Sequence, residues 1–139
     1  MAAEAVWNAE KLVLEEKYWD AIQILETVVP NAPLKIRQKA RILLARAYMK
    51  NPKWLRRGEE VLHTVVREDP DNLDAHLVLG GLYRGRDLKS RAIAEYRKVL
   101  ELKPGHEEAQ VELEKLLAEN PPESPAGGGG LIKKLFGKS

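Results

Sequence analysis

From Leu73 to Pro104 the apolar residues fall at spacings of three, four and seven, with Leu79, Gly80 and Tyr83 on one stripe and Ala92, Tyr96 and Val99 on the next. That spacing tracks the turn of an α-helix, so the segment predicts two amphipathic helices, each with one apolar face. Small and bulky residues alternate along the two stripes. Gly80 and Ala92 let the helices approach closely, and the larger side chains fill the space on either side of that contact. Pro104 ends the second helix, because its ring removes an N–H and clashes with the preceding turn, and Pro70 stands 34 residues earlier in the same role.

The order recurs upstream. Between about residues 38 and 70, Leu44, Ala45 and Tyr48 mark a first helix and Gly58, Leu62 and Val65 a second, with one extra residue between them. The insertion is placed in Asn51-Pro52-Lys53, where Pro52 disfavours helix at Asn51 and Trp54 can cover the helix end. A more degenerate unit carries Ala9 and Leu12, then Tyr18, Ala21, Leu25 and Val28, and closes at Pro30 and Pro33. Ala21 precedes Gly58 by 37 residues and Gly58 precedes Ala92 by 34, which predicts a lengthened junction around Asn31 to Ile36. After Pro104 comes one more helix, Glu107 to Glu119, with Ala109, Leu113, Leu116 and Leu117 on one side. Lacking a partner, it has one face to cover the last unit and one to meet water, as a terminal cap requires.

A 34-residue period with this small and large order resembles the tetratricopeptide-repeat (TPR) family. Leu79, Gly80, Tyr83, Ala92, Tyr96, Val99 and Pro104 stand where the family pattern places its leucine, glycine, tyrosine, alanine, aromatic, small residue and proline; His76 departs, at a position usually tryptophan. The resemblance implies an all-α fold, a TPR solenoid of three helix-turn-helix repeats plus a capping helix. It covers residues 4–119, and with the Pro/Gly-rich and amphipathic composition that follows, the sequence predicts a TPR domain over residues 1–119, a linker over 120–130 and an amphipathic tail over 131–139. The resemblance also implies a concave groove lined by first helices and receiving a protein partner. Carried over position by position, the groove takes Val6, Glu10 and Val13 from the first unit, Lys39, Ile42, Arg46 and Met49 from the second, and Asp74, Leu77, Gly81 and Arg84 from the third. This lining has a basic centre at Lys39, Arg46 and Arg84, with Ile42, Met49 and Leu77 as exposed apolar contacts, a chemistry that fits an acidic-apolar segment. Solvated helix faces account equally well for the three cations. Family members that hold the carboxyl end of heat-shock chaperones use lysine, asparagine and arginine at fixed groove positions. Val6, Glu10, Leu43, Asp74 and Val78 occupy those positions here, which argues against capture of a chaperone tail.

Charge becomes informative once it is located. The tail's Lys133, Lys134 and Lys138 against Glu123 account for the whole net +2, leaving 20 basic and 20 acidic residues in the body. A neutral body argues against nucleic acid on the Lys39, Arg46 and Arg84 strip, since phosphate binding needs a cationic surface. Asn120 to Gly130, NPPESPAGGGG, reads as a flexible tether. In the following LIKKLFGKS, helical spacing puts Leu131, Ile132, Leu135 and Phe136 on one arc and Lys133, Lys134 and Lys138 on the other. Gly130 to Gly137 resembles the MinD-type membrane-targeting tail of bacterial division-site ATPases, a likeness confined to these residues, and it implies a bacterial protein at an anionic membrane surface. Half-burying four apolar side chains contributes roughly 3 to 5 kcal/mol, three lysines about 1 kcal/mol each, and ordering a short helix costs on the order of 1 kcal/mol per residue. The net is small, so one copy would bind reversibly and durable recruitment needs a second contact. A docking peptide for a second protein or a TPR groove, and a passive solubilising end, fit the same pattern.

Catalytic chemistry finds no foothold. With no cysteine, thiolate catalysis, thiolate metal sites and disulfides are excluded. His63, His76 and His106 lack the i, i+4 spacing of a helical metal pair; His76 is expected to pack inside and the others to lie on the surface. Asp69, Asp71 and Asp74 fail as a calcium loop, because its glycine and its closing glutamate would fall on Asp74 and Gly80. Gly80, Gly81 and Gly85 precede no Lys-Ser/Thr pair, and Ser90 and Ser124 have no nucleophile context. The reading is a non-enzymatic adaptor with no cofactor, metal or small-molecule substrate. The opening MAAEAVWNAEKL has neither a basic start nor an apolar run, and no apolar stretch is long enough to span a bilayer. The expected location is therefore cytoplasmic, peripheral at the inner face of the membrane if the tail binds lipid.

Overall fold

A computed structural model of the protein describes residues 1–119; the expectations for the linker 120–130 and the tail 131–139 lie outside the described residues. The described chain forms α1 (Ala2–Leu14), α2 (Tyr18–Val28), α3 (Leu34–Tyr48), α4 (Leu55–Glu68), α5 (Leu73–Gly85), α6 (Lys89–Leu102) and α7 (Glu107–Glu119). Single 3-10 turns at Val29–Asn31 and Pro52–Trp54 interrupt the connections. Each helix packs on its neighbours in the chain, and α1, α3 and α5 also pack side by side. The result is a layer of first helices backed by a layer of second helices.

Local chemistry sets the ends of these helices. Asn72 accepts the Ala75 N–H at 3.0 Å and caps α5, while His106, expected on the surface, accepts the Ala109 N–H through Nδ1 at 3.1 Å and caps α7. α1 and α5 end identically. In α1, Lys17 N–H reaches the Leu12 carbonyl at 2.8 Å and Glu16 N–H the Val13 carbonyl at 3.0 Å; in α5, Leu88 reaches Tyr83 at 2.8 Å and Asp87 reaches Arg84 at 3.0 Å. This bond pair requires a left-handed residue, and Glu16 (φ 62°) and Asp87 (φ 60°) adopt that conformation where glycine is usual. The α3–α4 connection departs from the pattern because of its extra residue. Its Asn51 side chain accepts the Lys53 N–H at 3.0 Å, and Trp54 sits edge-on to Tyr48 with ring centroids 5.9 Å apart.

The lengthened junction lies earlier than the sequence suggests. Val29 to Pro33 makes the connection, with Ala32 extended and buried, and α3 starts at Leu34 rather than near Gln38. A proline directly before the first helical residue leaves the helix free to begin, since the first N–H groups have no intrahelical partner in any case.

Ala21, Gly58 and Ala92 are all buried, so the second helices meet their partners through small residues in each unit. Two core clusters result, and α3 belongs to both. Leu43, Leu44, Ala47 and Tyr48 join α1 and α2 in one cluster, while Ile42 and Ala45 join α4 to α7 in the other. His76, 8% exposed, is the buried polar residue of the core. Its Nδ1 lies 2.7 Å from Glu95 Oε1 and its Nε2 lies 2.7 Å from the Pro70 carbonyl. Both partners are acceptors, an arrangement that an imidazolium satisfies fully and a neutral ring by half.

Candidate partner-binding groove

The first helices place two depressions on their shared face, joined at Arg46. The larger, about 540 Å³, is walled by Glu10 from α1, Lys39 and Ile42 from α3, and Asp69 and Asp74 near the start of α5. The smaller, about 200 Å³, has an apolar floor of Met49, Leu77, Val78 and Gly81. Tyr96 forms part of its wall and Glu108 its rim. The Arg46 side chain is exposed and has no ion-pair partner among the described residues.

Glycines make the smaller depression. A Cβ on Gly80 would lie 2.7 Å from the Tyr96 ring, so the ring of this α6 residue passes through a gap in α5 that only glycine leaves. Gly81 keeps the floor low, with Met49 Cε and the Tyr96 hydroxyl just beyond where its Cβ would stand. Burial, with Glu112 and Glu108 nearby, pushes the Tyr96 phenol from 10.0 up to about 12.

The structure gathers some of the sequence-derived groove residues and separates others. Glu10, Lys39, Ile42, Arg46 and Asp74 share the larger depression, and Arg46, Met49, Leu77 and Gly81 the smaller. Val6, 3% exposed, belongs mainly to the N-terminal core, and half-buried Val13 packs against the same cluster. The expected row of exposed apolar contacts is corrected as well. Ile42 and Leu77 are each 8% exposed, leaving half-buried Met49 the most accessible of the three. Helix-to-helix packing accounts for this, because α3 and α5 each have neighbours on two sides and little of their surface remains to face the groove.

The basic centre is also reduced. Lys39 Nζ lies 3.8 Å from Glu10, and Arg84 pairs with Glu112 and, at 3.2 Å, with Glu119 of α7. Arg46 alone of the three cations faces the groove uncompensated among the described residues, between an acidic end at Glu10, Asp69 and Asp74 and an apolar well. No group of three His, Asp or Glu among the described residues is placed to hold a metal ion. No described helix is long and apolar enough to cross a membrane.

No protein-family model matches the chain. A stretch of 47 residues is 40% identical to the Cellulose synthase 2 operon protein C of Komagataeibacter xylinus; it takes in 34% of this chain and 4% of that protein, so the chain spans a small fraction of the relative's length. Among solved structures, the first TPR domain of the human RPAP3 protein superposes with a TM-score of 0.78 at 24% identity, over 85% of this chain and 91% of that one. The first TPR of Spaghetti (RPAP3) bound to the HSP90 peptide SRMEEVD gives 0.77 at 23% identity, over 85% and 94%. The chain has the tetratricopeptide-repeat fold. The MamA RS-1 ArsTM double mutant is similar too, with a TM-score of 0.70 at 20% identity, over 86% of this chain and 66% of that one.

Within the TPR framework, α1–α2, α3–α4 and α5–α6 are the three repeats and α7 the added helix. Sequence reasoning confined to first-helix positions missed Tyr96 and Glu108, which come from α6 and α7. The readable signal was the Gly80-Gly81 pair: two adjacent residues without side chains in one TPR helix open a path for a neighbour's ring.

Proposed function

We propose that the chain is a non-catalytic adaptor whose TPR groove takes a partner segment carrying an acidic side chain next to an apolar one, while the tail brings the assembly to a membrane surface. The observation that carries the groove reading is Arg46, uncompensated among the described residues, at the lip of an apolar well. A carboxylate on Arg46 and an apolar side chain on Met49, Leu77 and Gly81 would be satisfied together. Similarity to a TPR domain bound to a peptide supports a peptide-sized occupant. Recognition of a chain terminus is not part of this reading, because the positions that clamp a carboxylate in chaperone-binding relatives hold buried Val6, Leu43 and Val78 and the anions Glu10 and Asp74. The membrane half rests on the segregated sequence of Leu131, Ile132, Lys133, Lys134, Leu135, Phe136 and Lys138.

Two experiments test the halves separately. Pull-down with wild type, Arg46→Glu and Met49→Asp should return a protein that both variants lose, with affinity reduced at least about tenfold for loss of one charge-assisted contact. Retention by both variants rejects the groove. Co-sedimentation with anionic vesicles should pellet the full chain and leave a version ending at Gly127 in solution. If the full chain also stays in solution, even when artificially dimerised, the membrane reading is wrong.

A further inference from the structure

The extra residue that sets the second repeat apart falls in a segment, Lys50-Asn-Pro-Lys-Trp-Leu-Arg-Arg57, with four cations and no acid. Lys50, Lys53, Arg56 and Arg57 are all exposed, and none has an ion-pair partner among the described residues. Other cations of the described body are cross-linked to acids, as at Arg41–Glu68, Arg84–Glu112 and Arg86–Glu59; what sets this segment apart is four cations within eight residues, unpaired among the described residues. Two of the four cations, Lys50 and Arg57, lie over aromatic rings. Trp54 packs on Trp19 with centroids 5.9 Å apart, Lys50 Nζ stands 5.7 Å from the Tyr18 ring, and Arg57 lies over Trp54 at 5.5 Å. Trp19 is nonetheless 59% exposed, Leu14 beside the neighbouring turn is 78% exposed, and a shallow apolar depression of about 220 Å³ opens between Trp19, Ile22 and Trp54.

The topology puts this patch on one edge. Antiparallel pairing brings the α1–α2, α3–α4 and α5–α6 turns to the same end of the stack. α7 runs toward that end too, since Glu119 is held by Arg84 at 3.2 Å and Lys89 at 3.9 Å, one on each side of the α5–α6 turn. Glu119, the last described residue, therefore lies at the edge that carries the patch, and the linker and tail follow it in sequence. The acids of this edge are Glu15, paired with Lys17, Glu16, Asp20 and Asp87 in and beside the other two turns, and Glu119, held by Arg84 and Lys89. Next to the patch itself stand Glu59, paired with Arg86, and Glu60, which shares a depression with Arg56.

We infer that the Lys50–Arg57 edge is a second membrane contact, seated on the headgroups of an anionic bilayer with Trp19 and Trp54 at the water–lipid boundary. Tryptophan and tyrosine rings with an apolar body and a polar handle, ringed by lysine and arginine, have the chemistry of that boundary. Cations held within a few ångströms of an anionic leaflet contribute additively. An acidic protein or a nucleic acid would also meet four cations, but neither uses the closeness of the patch to Glu119, after which the tail sequence follows. A flat surface engages both together and gains by their linkage. The inference shares the membrane with the tail reading and uses it for the second point of attachment.

The test is co-sedimentation of the full chain with vesicles of phosphatidylcholine containing about one third phosphatidylserine. The Lys50→Gln/Lys53→Gln double variant, with its tail intact, should bind about 30-fold more weakly, the effect of two headgroup-proximal lysines. Trp19→Ala should weaken binding further, and both variants should keep the wild-type far-UV circular dichroism because the changed side chains are exposed. Pure phosphatidylcholine vesicles should pellet none of the proteins. Wild-type affinity for the double variant overturns the inference while leaving the tail reading intact. Loss of binding on ending the chain at Gly127, with no effect of the double variant, gives the membrane to the tail alone. Binding of polyglutamate or single-stranded RNA through Lys50 and Lys53, without vesicle binding, assigns the patch to that polyanion and also overturns the inference.

Discussion

At the scale of single residues, two neighbouring glycines have different jobs. A methyl on Gly80 would press into the Tyr96 ring at 2.7 Å, whereas one on Gly81 would meet Met49 and the Tyr96 hydroxyl at ordinary contact distances of 3.7 and 3.8 Å. Gly80→Ala should cost about 1–2 kcal/mol, overpacking outweighing the better helix propensity of alanine, and Gly81→Ala should be neutral or gain up to about 1 kcal/mol. Urea titration of the pair checks this, and equal effects would show that Tyr96 is not the constraint. Glu16 and Asp87 invite the opposite change. Both hold a left-handed conformation that costs a side-chain-bearing residue about 1 kcal/mol, so Glu16→Gly and Asp87→Gly should each raise the unfolding free energy by about 0.5–1 kcal/mol. Neither requirement is visible in a hydrophobic pattern. Gly80 fits the small position of its repeat, yet the partner that fills the gap is 16 residues away on another helix.

At the scale of elements, the sequence was most readable where apolar period and proline agreed, and least where a partner had to be chosen. The added helix spans Glu107–Glu119 as its apolar stripe implies, because Ala109, Leu113 and Leu116 all turn to the preceding repeat. The inserted residue falls in the α3–α4 turn since Pro52 holds Asn51 in an extended conformation and breaks α-helix there, leaving only a single 3-10 turn. α3 begins earlier than its apolar stripe suggested, as Pro33 sets a boundary that hydrophobicity does not mark. Ion pairing was unreadable. Arg84 reaches Glu112 and Glu119, and Lys39 reaches Glu10, only through the rotation of one repeat on the next, and that rotation decides which groove cations stay uncompensated. The two faces of α7 offer a direct check. Leu116→Ala, at a fully buried position, should cost about 2–4 kcal/mol, and Val111→Ala, at a 46% exposed one, less than about 0.5 kcal/mol.

At the scale of the whole molecule, three of the tyrosines tie stability to alkaline pH. Burial first, then hydrogen-bonded Glu26 and Glu59, push the Tyr48 and Tyr83 phenols from 10.0 up to about 12, as burial does for Tyr96. Each folded-state value lies above the unfolded one. Between pH 10 and 12 the unfolded chain has therefore released protons that the native chain keeps, and stability falls as pH rises through that window while these groups leave it unchanged below. Circular dichroism at 222 nm should show helix lost across pH 10–12, with a shallower decline in Tyr83→Phe/Tyr96→Phe; identical profiles would remove the phenols as the cause. The membership of α3 in both core clusters has its own consequence for how the molecule breathes. Peeling α1 and α2 away bares one flank of α3 and leaves Ile42 and Ala45 locked among α4 to α7, while loosening the far half leaves Leu43, Leu44 and Ala47 locked on the other flank. Amide protons along α3 should then be among the slowest to exchange with deuterium, released only when both halves have opened.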